Sequence, residues 1–339
     1  MDHIPIASRS DPAEHGGSLD AARRLFPGAP EPFVDLSTGI NPFAYPIPPL
    51  AEEAWTRLPE PSAITALEAA AAQAYGLSDA SLVVAAPGSQ SLISLLPLLF
   101  RPATVAIIGP TFGGYAPAFA AAGSRVKTVA RLADARGADA LLICNPNNPD
   151  GRCLKPKQIL THLRKEQGHP LVIVDEAFAD FEKPSLSLAS SLPEVGLVIL
   201  RSFSKPYGLG GLRLGFALAR SGIVETIREA LGPWQVSGPA IETGKVAFAH
   251  GAWKRVTKAR LAADGERLDD LLRGAGLELV GGTLLFRLVA SDRAAEIFTR
   301  LGQAGILVRC FSAHGDWLRF GIPGDEEEWA RLTRALEAD

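Results

Sequence analysis

One lysine stands out by its surroundings. In Arg201-Ser202-Phe203-Ser204-Lys205 two hydroxyls precede an amine, and Gly208, Gly210, Gly211 and Arg213 follow it. A free lysine titrates at about 10.4, so it acts as a nucleophile only with a depressed pKa or from within an imine. Upstream, the apolar run Leu171-Val172-Ile173-Val174 ends on a carboxylate, Asp175, followed by Glu176-Ala177-Phe178. Asn145-Pro146-Asn147-Asn148-Pro149-Asp150-Gly151 is dense in turn residues, and its prolines suit an amide that must be held still. Pro110-Thr111-Phe112-Gly113-Gly114-Tyr115 sets an aromatic ring where it can stack on a flat heterocycle. Pro87-Gly88-Ser89-Gln90 opens a helix-like stretch, so free backbone N–H groups and a hydroxyl face an anion there.

Taken singly, each feature has an ordinary reading: a solvated lysine, a capping carboxylate, a plain turn, a packed ring, an N-cap. Two familiar motifs fail. Gly208-Leu209-Gly210-Gly211-Leu212-Arg213 starts like a dinucleotide fingerprint but carries Arg213 where the third glycine belongs, and no P-loop is present. Ser202-x-x-Lys205 matches the serine β-lactamase nucleophile pattern, yet its Ser-Asp-Asn and Lys-Thr-Gly companions are missing.

The elements that must hold these residues can be read from the apolar pattern. Seven short runs (81–86, 104–108, 125–129, 138–144, 171–175, 197–201 and 214–219) alternate with helix-length segments such as Ala63–Tyr75. This predicts an α/β fold with a buried, mainly parallel seven-stranded sheet and helices on both faces. In such sheets ligands sit beyond the carboxyl ends of the strands, which is where all five features fall. Pro97 predicts a shortened or kinked helix after Gln90. After about residue 223 the pattern changes. Helices over 224–230 and 240–274 precede strand-like runs at 277–280, 283–289, 306–309 and 317–320, with further helices over 293–304 and 326–338. The expected organisation is a Pro-rich arm over 1–35 that contributes to the site and the small domain, a large domain over 36–222, and a smaller α+β domain over 223–339.

With 339 residues, 47% of them apolar and 21% charged, the chain can bury a large core, which excludes wholesale disorder. Its net charge of −3 and the lack of a long basic block argue against a nucleic-acid partner. No run is long enough for a membrane span, and the polar start gives no sign of a secretory signal. Cys144, Cys153 and Cys310 have no metal-ligand spacing and suit a reducing compartment, so the expectation is a cytoplasmic protein without a metal site.

Taken together and in this order, the features resemble the pyridoxal-phosphate enzymes of the aspartate aminotransferase fold (fold type I, class I/II aminotransferase family), from about Leu36 to Arg334. The resemblance implies that Lys205 forms the Schiff base with pyridoxal 5′-phosphate. It implies that Asp175 pairs with the pyridine nitrogen, that Asn148 binds the ring's phenolic oxygen and that Phe112 stacks on the ring. Gly88, Ser89, Gln90, Ser202, Ser204 and Arg213 would hold the phosphate. These roles are physically coherent, since Asp175 would keep the ring cationic and electron-accepting, and Arg213 can grip a phosphate with both arms of its guanidinium.

The early segments His15-Gly16-Gly17-Ser18 and Asp35-Leu36-Ser37-Thr38-Gly39-Ile40-Asn41-Pro42 resemble those of the threonine-phosphate decarboxylases of cobalamin synthesis. That implies a homodimer acting on a small phosphoamino acid, with His15, Gly16, Gly39, Asn148, Arg309 and Arg319 contacting the substrate. Arg319, in Trp317-Leu318-Arg319-Phe320-Gly321, would clamp the α-carboxylate. Paired arginines suit a substrate that carries both carboxylate and phosphate. Histidinol-phosphate aminotransferases share much of the pattern, and transamination is the alternative reaction. A ligand-sensing regulator of the same fold would carry an added helix-turn-helix domain, for which the pattern leaves no room.

Three positions depart from relatives. Phe178 stands where many have a tyrosine that donates to the phenolic oxygen. Leu58-Pro59 replaces a Tyr-Pro whose tyrosine reaches the neighbouring subunit's phosphate. Gly39 replaces a side chain used by some decarboxylases, so that only its backbone can serve.

Overall fold

The computed structural model describes residues 16–166 and 170–337. They form two compact units. One comprises residues up to Phe43, Pro149–Gly151 and Thr257 onward, and the other Ala44–Asn148 and Arg152–Val256.

The chain enters the first unit through α1 (Leu19–Leu25) and β1 (Val34–Asp35). It then builds the second unit from α2 (Glu53–Thr56), α3 (Pro61–Ala74), β2 (Val83–Ala86), α4 (Ser89–Phe100), β3 (Thr104–Ile108), α5 (Tyr115–Ala121), β4 (Arg125–Val129), β5 (Ala140–Cys144), α6 (Pro156–Lys165), β6 (Leu171–Asp175), β7 (Leu197–Ser202), β8 (Gly215–Ala219), α7 (Ser221–Leu231) and α8 (Gly238–Ala249). The sheet order is β2-β8-β7-β6-β5-β3-β4, and β8 alone runs antiparallel to its neighbours. The seven strands coincide with the seven apolar runs. The interiors of six of them are aliphatic on both faces because helices cover both, whereas the edge strand β4 exposes Arg125, Lys127 and Thr128.

Alternation divides the strand side chains between two cores. Val172, Val174 and Ile199 lie in one with Phe203, while Ile173, Val198 and Leu200 lie in the other with Tyr115. Two positions past the buried interiors, the same alternation decides which polar residues face which side.

Two helical expectations differ. α4 runs three residues past Pro97 and ends at Arg101, whose φ is 43°. The segment expected as one helix over 240–274 is two, because His250 leaves helical geometry with φ −91° and ψ 61°. Its ring meets Tyr45 edge-on, with Nδ1 3.3 Å from the tyrosine hydroxyl. The boundary between the units falls at 256/257, whereas the sequence pattern suggested 222/223. α7 and α8 carry the second unit's core residues Val224, Ile227, Ala240 and Ile241, which keeps them with its sheet.

α9 (Gly251–Gly274) leads back to the first unit, which continues with β9 (Glu278–Thr283), β10 (Phe286–Ala290), α10 (Ala294–Gln303), β11 (Ile306–Leu307), β12 (Arg309–Cys310), β13 (Trp317–Gly321) and α11 (Glu326–Glu337). β12-β13-β10-β9 form an antiparallel sheet, and β1 pairs with β11 in parallel. Phe26 and Phe33 from the entering segment pack with Leu307 in a small core.

Candidate functional site

In the second unit the polar ends of β2, β5, β6 and β7 supply the chemistry. Gly88 caps α4 with a φ of 82°, a conformation glycine adopts without strain, and lets Ser89 start the helix. A Cβ on Gly88 would lie 2.6 Å from Nη2 of Arg213, so the guanidinium lies directly over this turn. A Cβ on Gly215 would lie 2.4 Å from the Ser89 nitrogen, so β8 also passes close behind it. Arg213 itself adopts φ 54° and donates to the Gly210 carbonyl at 3.0 Å. Gln90 is exposed on the first turn of α4. The result is a concave, cationic turn whose first helical N–H groups point outward.

Ser202 and Ser204 are both buried, and among the described residues the Ser204 hydroxyl has no hydrogen-bond partner. A buried orphan hydroxyl is costly unless a ligand satisfies it. Between and beyond them Phe203 and Tyr207 stack at 4.1 Å within an aromatic cluster, which fixes the turn carrying Lys205. The Lys205 amine lies 5.1 Å from the centre of the Phe178 ring, within cation–π range.

Asp175 is almost fully buried. Its Oδ2 accepts from the Tyr115 hydroxyl at 2.7 Å, and its Oδ1 from the Ala177 N–H at 3.0 Å. Burial pushes its carboxyl above the usual range, opposed by the Lys205 charge and by the Tyr115 hydrogen bond. Burial, reinforced by the Asp175 charge, also pushes the adjacent Cys144 thiol up to about 12, so it stays protonated. Phe112 meets Tyr115 edge-on, with ring centres 5.2 Å apart.

The asparagines of the turn after β5 divide the work. Asn145 exchanges hydrogen bonds with Leu154, donating at 3.1 Å and accepting at 2.7 Å. Asn147 donates to the Pro110 carbonyl at 2.9 Å and accepts from the Thr111 hydroxyl at 2.7 Å. Both are buried in holding the loop, while Asn148 is half-buried beside them.

These residues fit pyridoxal phosphate. The cationic turn and the orphan Ser204 hydroxyl match a phosphate, the buried Asp175 carboxylate a protonated ring nitrogen, and Lys205 an aldehyde. Among the residues expected at this site, Gly88 and Arg213 are brought together directly, and Lys205 acts electrostatically on Asp175. Sequence reasoning missed Tyr115 as the partner of Asp175.

The first unit carries the remaining candidates. Arg309 and Arg319 are directly opposite each other on β12 and β13. Arg319 is buried and donates to the Ser37 carbonyl at 2.5 Å. Burial and the charge of Arg309 pull its guanidinium down to about 9, against the pull of Asp35. Ser37 is a hub: its hydroxyl accepts from the Gly17 N–H at 2.7 Å and donates to Asp35 at 2.6 Å. Gly16 lies so close that a Cβ would come 2.3 Å from the Ser37 carbonyl oxygen. Gly39 is buried with φ 63°. His15 lies outside the described residues.

The chain belongs to the class I and II aminotransferase family, matching it over residues 32–336. Within that family it is 44% identical to the threonine-phosphate decarboxylase of Sinorhizobium sp., over 96% of this chain and 98% of that protein. It is 40% identical to the threonine-phosphate decarboxylase of Pseudomonas aeruginosa, over 95% and 97%. Its fold matches the crystal structure of histidinol-phosphate aminotransferase from Sinorhizobium meliloti in complex with pyridoxal-5′-phosphate, with a TM-score of 0.80 at 19% identity over 94% and 92% of the two chains. Among the described residues no helix is long and apolar enough to cross a membrane.

Proposed function

We propose that this protein is a pyridoxal-phosphate-dependent decarboxylase that converts O-phospho-L-threonine to (R)-1-aminopropan-2-ol O-phosphate, a step of cobalamin synthesis. The observation that carries this reading is the identity of 40–44% over nearly the whole chain to two threonine-phosphate decarboxylases. The facing Arg309 and Arg319 support it, since two guanidinium groups suit a substrate with two anionic ends.

When bound, the cofactor supplies an electron-accepting ring for the pair left when the bond from Cα to the carboxylate breaks. Lys205 would hold the cofactor through its side-chain amine. Asp175 keeps a negative charge against the ring nitrogen, and Asn148 binds the phenolic oxygen. Gly88, Ser89, Gln90, Ser202, Ser204 and Arg213 would anchor the phosphate. Arg319 binds the substrate carboxylate, and Arg309, with Gly16, Gly39 and His15, the rest of the substrate. Carbon dioxide would leave, and Lys205, water or the substrate phosphate would return a proton to Cα.

The protein works as a homodimer in the cytoplasm. A second copy covers the apolar groove of the second unit, where Trp55 and Leu58 are 68% and 64% exposed beside Ile47 and Trp234. Light scattering should give twice the chain mass.

Incubation with phosphothreonine decides the reaction. Carbon dioxide released without any keto acid supports decarboxylation. A pyridoxamine form of the cofactor that needs a keto acid to recycle would make the enzyme an aminotransferase instead.

A further inference from the structure

Asp175 and Ser202 have immediate neighbours that point the other way. Glu176 follows Asp175 at the exit of β6, and Arg201 precedes Ser202 on β7. The strands are parallel, and the Glu176 N–H donates to the Leu200 carbonyl at 2.9 Å. Alternation therefore sets Glu176 and Arg201 side by side on the face that carries Phe203, opposite Asp175 and Ser202.

There they form a largely buried ionic cluster. Arg201 donates to Glu176 Oε2 at 2.6 Å and pairs with Asp180 Oδ2 at 3.1 Å. Glu176 also accepts from the Ser187 hydroxyl at 2.6 Å and the Leu188 N–H at 2.7 Å. The Lys254 amine lies 3.4 Å from Asp180 Oδ1, and the Arg201 guanidinium sits 4.3 Å over the Tyr75 ring. Glu176 is fully buried and Arg201 nearly so.

A buried ion pair is a weak source of stability, because desolvation offsets its attraction and apolar replacements are often as stable. What it supplies is register. A strand slipped by one residue would send Asp175 and Ser202 to the back and drive unpartnered Glu176 and Arg201 charges to the front. Only the native register satisfies both faces.

We propose that Arg201 and Glu176 are positioning residues for the cofactor: their pairing behind the sheet sets the register and spacing of the strand ends that present Asp175 and the Ser202–Lys205 segment. The Arg201 charge additionally favours the ionised form of Asp175 through the sheet. The proposal rests on pyridoxal phosphate as the cofactor and not on which substrate is turned over.

The test pairs cofactor binding with stability in the wild type, Arg201→Lys, Glu176→Gln and the double variant Arg201→Met/Glu176→Met. Binding of pyridoxal phosphate is read from its visible absorbance, and the order of the bound ring from its visible circular dichroism. The double variant should stay folded but melt several degrees below the wild type, because Asp180 keeps only Lys254 as a charged partner and the Leu188 N–H loses its acceptor. Its cofactor Kd should nonetheless rise about tenfold or more, the scale on which residues outside a site couple to it, and its dichroic band should shrink. Arg201→Lys keeps one bridge to Glu176 and should fall in between. A folded double variant with wild-type Kd and dichroism would overturn the proposal. If that variant does not fold, Glu176→Gln decides: it removes the charge from the pair in a side chain of the same shape, and a wild-type Kd and dichroism there would overturn the proposal equally. Absence of cofactor binding by the wild type would instead defeat the cofactor assignment.

Discussion

The Tyr115 hydroxyl donates a 2.7 Å hydrogen bond to Oδ2 of Asp175, and the same tyrosine ring buttresses Phe112 at 5.2 Å. One side chain at the start of α5 thus ties together the residue expected to stack on the cofactor and the one expected to pair with its ring nitrogen. The hydrogen bond holds the Asp175 carboxyl down against the burial that raises it. Removing it should therefore raise the Asp175 pKa in the folded protein. Tyr115→Phe should lower kcat by about tenfold, the typical worth of one hydrogen bond to a charged group. The acid limb of its pH–rate profile should move to higher pH, and the two profiles measured side by side check this. An unmoved acid limb would separate Tyr115 from the ionisation of Asp175.

The phosphate turn depends on a missing side chain. At Gly215 a Cβ would come 2.4 Å from the Ser89 nitrogen and 2.8 Å from the Gly88 carbonyl carbon, both backbone atoms that cannot swing aside. Gly215→Ala must shift the helix start that is expected to offer its N–H groups to the cofactor phosphate. We expect a cofactor Kd at least about tenfold weaker, read by absorbance titration, and a loss of roughly 1–3 kcal/mol in apoprotein stability, read by urea unfolding. Gly211 is a control on the same glycine-rich stretch, since a Cβ there meets nothing within 4 Å. Gly211→Ala should bind the cofactor like the wild type.

Much of this arrangement was legible in the chain because parallel strands buried on both faces are written as unbroken apolar runs. Asp175 was visible for that reason: an ionisable group at the end of such a run has no packing role to explain it. Lys205 and its flanking serines were visible as a pattern, and so was the turn at Gly88. What could not be read is contact made by side chains distant in sequence. Nothing near Ser37 announces that its carbonyl will receive Arg319, 282 positions later. Nor does the sequence distinguish Asn147, consumed by Thr111 and Pro110, from Asn148 beside it. The contact of His250 with Tyr45, 205 positions away, was equally unreadable.

Phe178 lies beneath the Lys205 amine with no hydroxyl to donate. A tyrosine there would offer a proton donor near the lysine's end and favour the deprotonated form of the nitrogen it shares with the cofactor. Phe178→Tyr should therefore lower the pH midpoint of the bound cofactor's visible absorption change. Titration of both proteins from pH 5 to 10 reads it, at about 1.4 kcal/mol per unit. An identical midpoint would mean that the added hydroxyl does not reach the cofactor's phenolic oxygen.

Arg319 makes the last prediction, and its sign follows from its surroundings. Burial and the facing Arg309 pull the guanidinium down to about 9, so its positive charge is complete below that pH and lost above it. An anionic substrate group would replace missing solvation and oppose the Arg309 charge, which raises the value on binding. Linkage then requires the free protein to bind phosphothreonine less well as pH rises through about 9. KM should climb across pH 8.5–10 while kcat, measured at saturation, changes less. Arg309→Gln removes one of the two causes and should move the rise in KM to higher pH, even as it weakens binding overall. The same scan on Arg319→Lys should show a higher KM at every pH, because an ammonium cannot offer the two parallel bonds that a guanidinium gives a carboxylate. A KM that stays flat to pH 10 in the wild type would mean that Arg319 keeps its charge there, and an unchanged KM in Arg319→Lys is the result that would remove it from substrate binding.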